Sequence, residues 1–208
     1  MLCVCRGPAK LERMPVPAII LAAGASRRLG QPKQLLLVEG ETLLARTMRV
    51  VSVSGAGPVL VVLGANRDSI AEVVELGNVH VLANVGWESG IASSIVAGVA
   101  AVQRLRPEAD ALMILVCDQP KLSAGHLEAL IGSYRGATES LIVASRYAGI
   151  AGIPAIFPAS QFPRLLALEG DAGARFLLRE PECPMILVDF AGGEEDIDTP
   201  EDLAKLDS

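Results

Sequence analysis

A chain of 208 residues with 51% hydrophobic and 20% charged residues can bury one sizeable core, roughly 70% of the surface its unfolded form exposes, which excludes a disordered protein. A net charge of −6 argues against a broad nucleic-acid face, and aromatic residues at 3% leave few platforms for stacking bases. No apolar segment reaches the roughly 18–20 residues of a membrane-spanning helix, so the chain is expected to work in the cytoplasm without a membrane.

Residues 1–14 contain Cys3, Arg6, Pro8, Lys10, Glu12 and Arg13 and lack the apolar run of a secretory signal; they read as a flexible extension ahead of one domain over residues 15–208. Cys3, Cys5, Cys117 and Cys183 do not form a disulfide framework and read as free structural thiols. Ile19, Ile20 and Leu21 suit a buried strand that feeds a loop containing Gly24, Ser26 and Gly30, followed by Arg27, Arg28 and Lys33. Such a loop can turn its backbone N–H groups toward a phosphate while the cations reinforce the field. A tight turn beside a solvated basic helix start is the competing reading. Five residues separate Gly24 from Gly30 and Gln31 follows, so the P-loop spacing fails; Ser26 breaks the dinucleotide fingerprint.

The string LAAGASRRLGQPKQ, residues 21–34, resembles the signature of the MobA-like or MocA-like nucleotidyltransferases, L-A-(A/G)-G-x-S-x-R-M-G-x-x-K, with Leu29 at the usual methionine. In that family the loop wraps a nucleotide triphosphate, so the resemblance places Leu21, Ala22, Ala23 and Gly24 against the nucleotide and makes Arg28 and Lys33 its basic partners. The resemblance extends over residues 17–206. It implies a Rossmann-like α/β sandwich of the nucleotide-diphospho-sugar transferase type, with a mainly parallel mixed sheet and an antiparallel strand near the substrate side. LAAG is closer to the MocA-like members, which implies Mg²⁺-dependent transfer of CMP from CTP to a molybdenum-bound molybdopterin with release of pyrophosphate. A molybdoenzyme or cofactor-transfer protein would be a transient partner. GTP or a sugar-phosphate acceptor, and a noncatalytic cofactor carrier, remain as alternatives.

Farther along, Thr42 is a candidate N-cap for a helix over residues 43–53; VLVVL, residues 59–63, reads as a buried strand, followed by a helix over 67–76 and a strand over 79–82. His80 falls in the apolar alternation of that strand and reads as structural. The loop NVGWESGIASS, residues 84–94, precedes a helix marked by Ile91, Ile95, Val99 and Val102, with Trp87 covering an apolar surface. The family has a similar Asn…Gly…Ser segment near the nucleotide, which adds Asn84, Gly90 and Ser94 as candidates.

Six apolar residues, 111–116, predict a buried strand that delivers Asp118 to its carboxyl end, where open α/β sheets bind ligands. A carboxylate there offers hard oxygens to Mg²⁺, against the plain reading of a turn residue before Pro120; the resemblance makes Asp118 a metal ligand. Ser123 can cap a helix whose stripe is Leu127, Leu130, Ile131 and Tyr134, with His126 beside the stripe and exposed.

Residues 141–144 suggest a strand, and Gly152, Ile153 and Pro154 stand where relatives often have G-H-P, so no catalytic histidine is carried over. Asp171 reads as a helix cap; the resemblance to a G-D-x-G-A element gives Gly170, Asp171 and Gly173 an acceptor role. After a strand over residues 185–188, Thr199, Pro200 and Asp202 fit a capping box. By itself the acidic run reads as solvated; the matching D-I-D-T-P-E-D ending of the family makes Asp198 the second metal carboxylate.

Overall fold

The computed structural model describes residues 14–179 and 184–202. The extension expected over residues 1–14, apart from Met14, and the thiols of Cys3, Cys5 and Cys183 lie outside the described residues. In chain order the elements are β1 (Ala18–Ala22), β2 (Leu37–Val38), β3 (Glu41–Thr42), α1 (Leu43–Val53), β4 (Val59–Leu63), α2 (Arg67–Val73), β5 (His80–Ala83), α3 (Ile91–Leu105), β6 (Ala111–Val116), α4 (Ala124–Gly136), β7 (Ile142–Tyr147), β8 (Ile150–Pro158), α5 (Phe162–Leu166), α6 (Arg175–Leu178) and β9 (Met185–Asp189). A further helix begins at Pro200.

Seven strands form one sheet in the order β5-β4-β1-β6-β8-β7-β9. β8 pairs antiparallel with both β6 and β7, and the other pairings are parallel, so the sheet is mixed and mainly parallel. Side-chain alternation feeds two cores. Ala18, Ile20 and Ala22 of β1 face a layer holding Leu44 and Val51 of α1, Ile70 of α2 and Leu127 and Leu130 of α4. Ile19 and Leu21 face the opposite layer, with Ile95 and Val99 of α3, Phe162 of α5 and Leu177 of α6. Burial on both faces is why these strands read as unbroken apolar runs. Gly98 lets α3 approach closely: a Cβ there would stand 2.8 Å from Ile19 Cγ2.

The chain leaves β1 for β4 on one side and returns through β6 on the other, so the loops after β1 and β6 flank a topological switch point. Among the described residues no helix is long and apolar enough to cross a membrane.

Thr42 caps α1 by accepting the Ala45 N–H at 3.2 Å, and Ser123 Oγ accepts the His126 N–H at 3.3 Å. Other expectations need correction. The helix expected to Leu76 stops at Val73, because Val74 turns extended and buries its side chain in the core. His80 is exposed, since β5 is the edge of the sheet. His126 is only 9% exposed: it shares the i, i+4, i+8 line of Leu130 and Tyr134, stacks on Phe190 at 4.4 Å and hydrogen-bonds Ser145 Oγ through Nε2 at 2.7 Å. Burial lowers its pKa to about 4. Asp171 caps no helix, as α6 starts only at Arg175 with Ala174 at its N-cap.

Candidate active site

The loop after β1 is shaped from beneath by an amide. Gln34, fully buried, donates through Nε2 to the carbonyls of Ala22 at 2.8 Å and Gly24 at 3.0 Å. Ser26 takes a positive φ of 52°, and its Oγ accepts the Lys33 N–H at 3.0 Å. These bonds hold the loop open above the end of β1 and turn the Lys33 side chain toward β6.

Asp118 follows β6, and its carbonyl accepts the Ile197 N–H at 3.0 Å. Ile197 is buried with Leu29, Leu36 and Leu43, so the acidic segment near the chain's end is fastened to the loop after β1. Asp198 therefore arrives beside Asp118. The Lys33 ammonium donates to Asp118 Oδ2 and, at 3.0 Å, to Asp198 Oδ1, while Arg28 Nη2 donates to Asp198 Oδ2 at 2.7 Å. Lys33 and Asp118 side chains are 19% and 13% exposed, against 38% for Asp198.

Burial works against the charge of Lys33, but Asp118 and then Asp198 outweigh it and hold the ammonium above the ordinary lysine range. Burial likewise opposes the Asp198 charge, and the Lys33 and Arg28 contacts win, holding it below the usual carboxylate range. Cys117, adjacent and fully buried, is pushed up to about 12 by desolvation, as suits an inert structural thiol.

A cavity of about 430 Å³ opens over this network, lined by Leu21, Ala23, Gly24, Ser94, Gly90 and Asp171 together with the charged residues. Gly90 is required there. Its φ is +108°, and a Cβ would fall 2.2 Å from the Gly170 carbonyl oxygen. That carbonyl accepts the Ala92 N–H at 3.1 Å and so docks the loop around Gly170 on the start of α3. Of the remaining candidates, Ala22 stays within β1, Gly173 lines an adjoining cavity, and Asn84 lines neither. Asn84 instead organises its loop, accepting the Gly86 N–H at 2.9 Å and donating to Ser93 Oγ at 2.8 Å and Ser94 Oγ at 3.0 Å.

Three groups carried no sequence signal of a site role. Gln34 is one. Gln119 Nε2 donates to the carbonyls of Ile153 at 3.2 Å and Gly193 at 2.8 Å, joining the end of β6 to β8 and to the acidic segment. Asp196 lines the adjoining cavity, and its pKa is raised to about 6 by burial and then by Asp118.

The first cavity carries Arg27, Arg28 and Lys33 against Glu88, Asp118, Asp171 and Asp198. A polyphosphate entering it needs additional positive charge. Asp118 Oδ1 is buried without a hydrogen-bond partner, and one ammonium already bridges Asp118 and Asp198, so the pair suits a small hard cation. Among the described residues no group of three or more His, Cys, Asp or Glu side chains could hold a metal alone. Phosphate oxygens and water would complete such a site, as Mg²⁺ usually requires.

Known proteins can now be set beside this geometry. A Paenarthrobacter nicotinovorans protein named nicotine blue oxidoreductase is 32% identical over 202 residues, 92% of this chain and 96% of the relative. The purine catabolism protein PucB of Bacillus subtilis is 33% identical over 196 residues, 88% and 92% of the two chains. A probable molybdenum cofactor guanylyltransferase of Bacillus cytotoxicus is 28% identical over 127 residues, 61% of each. Rv0371c of Mycobacterium tuberculosis H37Rv, 30% identical, superposes with a TM-score of 0.80 over 93% of this chain and 99% of the other. A manganese complex of Rv0371c has a TM-score of 0.75 at 26% identity, over 92% and 97% of the two chains. None of these names is that of a cytidylyltransferase. With the MobA-like NTP transferase domain matched over residues 18–184, the chain belongs to the MobA-like NTP transferase family.

Proposed function

We propose that the chain transfers a nucleotidyl group from an NTP to the phosphate of a small-molecule acceptor. An acceptor phosphate oxygen bonds to the α-phosphorus, the bond from that phosphorus to the β-phosphate oxygen breaks, and pyrophosphate leaves. The observation that supports this most is the run of contacts Arg28, Asp198, Lys33, Asp118 at the switch point, with cavities on either side of Asp118.

Lys33 and Arg28, released from their carboxylates by the incoming phosphates, would hold the charge that grows on pyrophosphate, together with the N–H groups of the loop after β1. An ionised acceptor phosphate needs no side-chain base. Asp118 and Asp198 would hold Mg²⁺, which when bound supplies a Lewis acid that neutralises phosphate charge and orients the α-phosphorus. The manganese complex of Rv0371c is consistent with a divalent ion in this family.

For the donor and acceptor, the LAAG string supports CTP and a molybdenum-bound molybdopterin. The relative named as a molybdenum cofactor guanylyltransferase supports GTP with the same acceptor, and its likeness rests on far more residues than one tetrapeptide. GTP is therefore the better supported donor. Incubating the protein with each NTP, Mg²⁺ and purified pterin cofactor, with pyrophosphate release measured and the product weighed by mass spectrometry, tests both levels. A nucleotide-linked pterin with stoichiometric pyrophosphate is expected. Cofactor binding with no pyrophosphate from any NTP would make the protein a carrier.

A further inference from the structure

A second cavity of about 430 Å³ adjoins the first across Leu21, Ile91, Val116, Asp118 and Asp171, and its far wall is α6. Arg175 and Arg179, four residues apart on that wall, both line it. Arg175 is seated: its Nη2 donates to the Tyr147 hydroxyl at 2.8 Å, and the guanidinium carbon lies 5.8 Å from the Tyr147 ring centroid. Its ion pair with Asp196 is loose, at 3.6 Å. Arg179 is exposed and makes no ion pair or side-chain hydrogen bond among the described residues. Phe176, 59% exposed, lines the same cavity beside them.

Any phosphate that approaches Asp118 through this cavity also meets Asp171 and Asp196. Like charges brought within a few ångströms of one another in a half-buried cavity repel strongly, so the approach needs cations of its own. Lys33 and Arg28 are engaged by Asp118 and Asp198. Arg175 and Arg179 are the cations on this wall, and a guanidinium fork matches phosphate oxygens. Tyr147 fixes Arg175 in place, while the long gap to Asp196 leaves N–H donors to spare.

We propose that Arg175 and Arg179 form an anion clamp that selects the acceptor as a phosphate monoester, with the flat or apolar body of that molecule laid against Phe176. The inference rests on the nucleotidyl-transfer reading for its direction of approach. Tyr147 keeps Arg175 aligned, and the loose pair with Asp196 gives way to the acceptor phosphate. Arg175 and Arg179 thus set acceptor specificity, separately from the loop that holds the nucleotide.

The test uses the full chain with phenyl phosphate and inorganic phosphate as probes, titrated by calorimetry while a nonhydrolysable NTP analogue and Mg²⁺ saturate the first cavity. The parent should bind phenyl phosphate more tightly than inorganic phosphate. Arg179→Gln should weaken both by about tenfold, the scale of one charge-assisted contact, and Phe176→Ala should weaken phenyl phosphate alone. Affinity for the NTP analogue should stay within about twofold in both variants. Both side chains are exposed, so neither change disturbs packing, and Arg175→Lys then tests the fork against the bare charge. Parent-like binding of both probes by Arg179→Gln, or displacement of the NTP analogue by phenyl phosphate, overturns the clamp. If the NTP analogue does not bind while phenyl phosphate still depends on Arg179, the nucleotide reading fails and the anion site stands.

Discussion

Lys33 satisfies two carboxylates with one ammonium and sits where phosphate charge would arrive. A cation in that position would compete with any metal for Asp118 and Asp198 until a nucleotide drew it away. Lys33→Met keeps the apolar stem and removes the charge. Turnover should fall by about 100-fold or more, as for loss of one electrostatic contact to the transition state. Mn²⁺ binding measured by electron paramagnetic resonance without nucleotide should become tighter, and unchanged Mn²⁺ affinity would remove Lys33 as the competitor. Arg28, Lys33 and Asp118 were legible as charged candidates, because a cationic glycine-rich loop and a carboxylate at a strand end are local patterns. Gln34, Gln119 and Asp196 were not. The amide of Gln119, for one, works on carbonyls 34 and 74 residues away, a pairing that only the folded chain reveals.

At the scale of elements, strands buried on both faces and capped helices could be read because each writes its burial into a short stretch. The β2–β3 hairpin was missed: Glu39 and Gly40 take φ of 53° and 81° in its turn, and Glu-Gly is a weaker signal than Asn-Gly. His126 was misread because its place depends on β7 and Phe190 as much as on α4. Ser145 Oγ donates to the Pro154 carbonyl at 2.6 Å, so it accepts from the Nε2–H of a neutral His126, and α4, β7 and β8 are joined through this imidazole. With a folded pKa of about 4 and an unfolded value of 6.5, the unfolded chain binds more protons between those limits. Stability from this group is therefore complete above pH 6.5 and is lost as pH falls toward 4, by about 2 kcal/mol at pH 5. Denaturant unfolding at pH 7 and pH 5 should show that loss in the parent and a smaller one in His126→Gln. Equal losses would show that His126 is not the titrating group.

For the molecule as a whole, the site exists because distant parts of the chain meet at the switch point. The loop after β1 and the segment after β9 are about as far apart in sequence as the fold allows; Arg28 and Asp198 are separated by 170 residues. The convergence of Asp118 with Asp198 could be expected only through family resemblance, since nothing local in an acidic run says which surface it covers. What brings it about is apolar. Ile197, 1% exposed, packs with Leu29, Leu36 and Leu43 in a small cluster apart from the two main cores, and its N–H is tied to Asp118. Such a satellite cluster can open without unfolding the sheet. Ile197→Ala should cost this cluster about 2 kcal/mol, the low end for a buried isoleucine, with a smaller effect on global unfolding. Asp198 would then spend more time away from Lys33 and Asp118, so Mn²⁺ affinity and turnover should drop together while helical content is kept. Hydrogen exchange should report the cause directly: the amide at position 197 should exchange faster while amides of β1 and β6 stay protected. Accelerated exchange at 197 with parent-like Mn²⁺ affinity would mean that Asp198 is no part of the metal site.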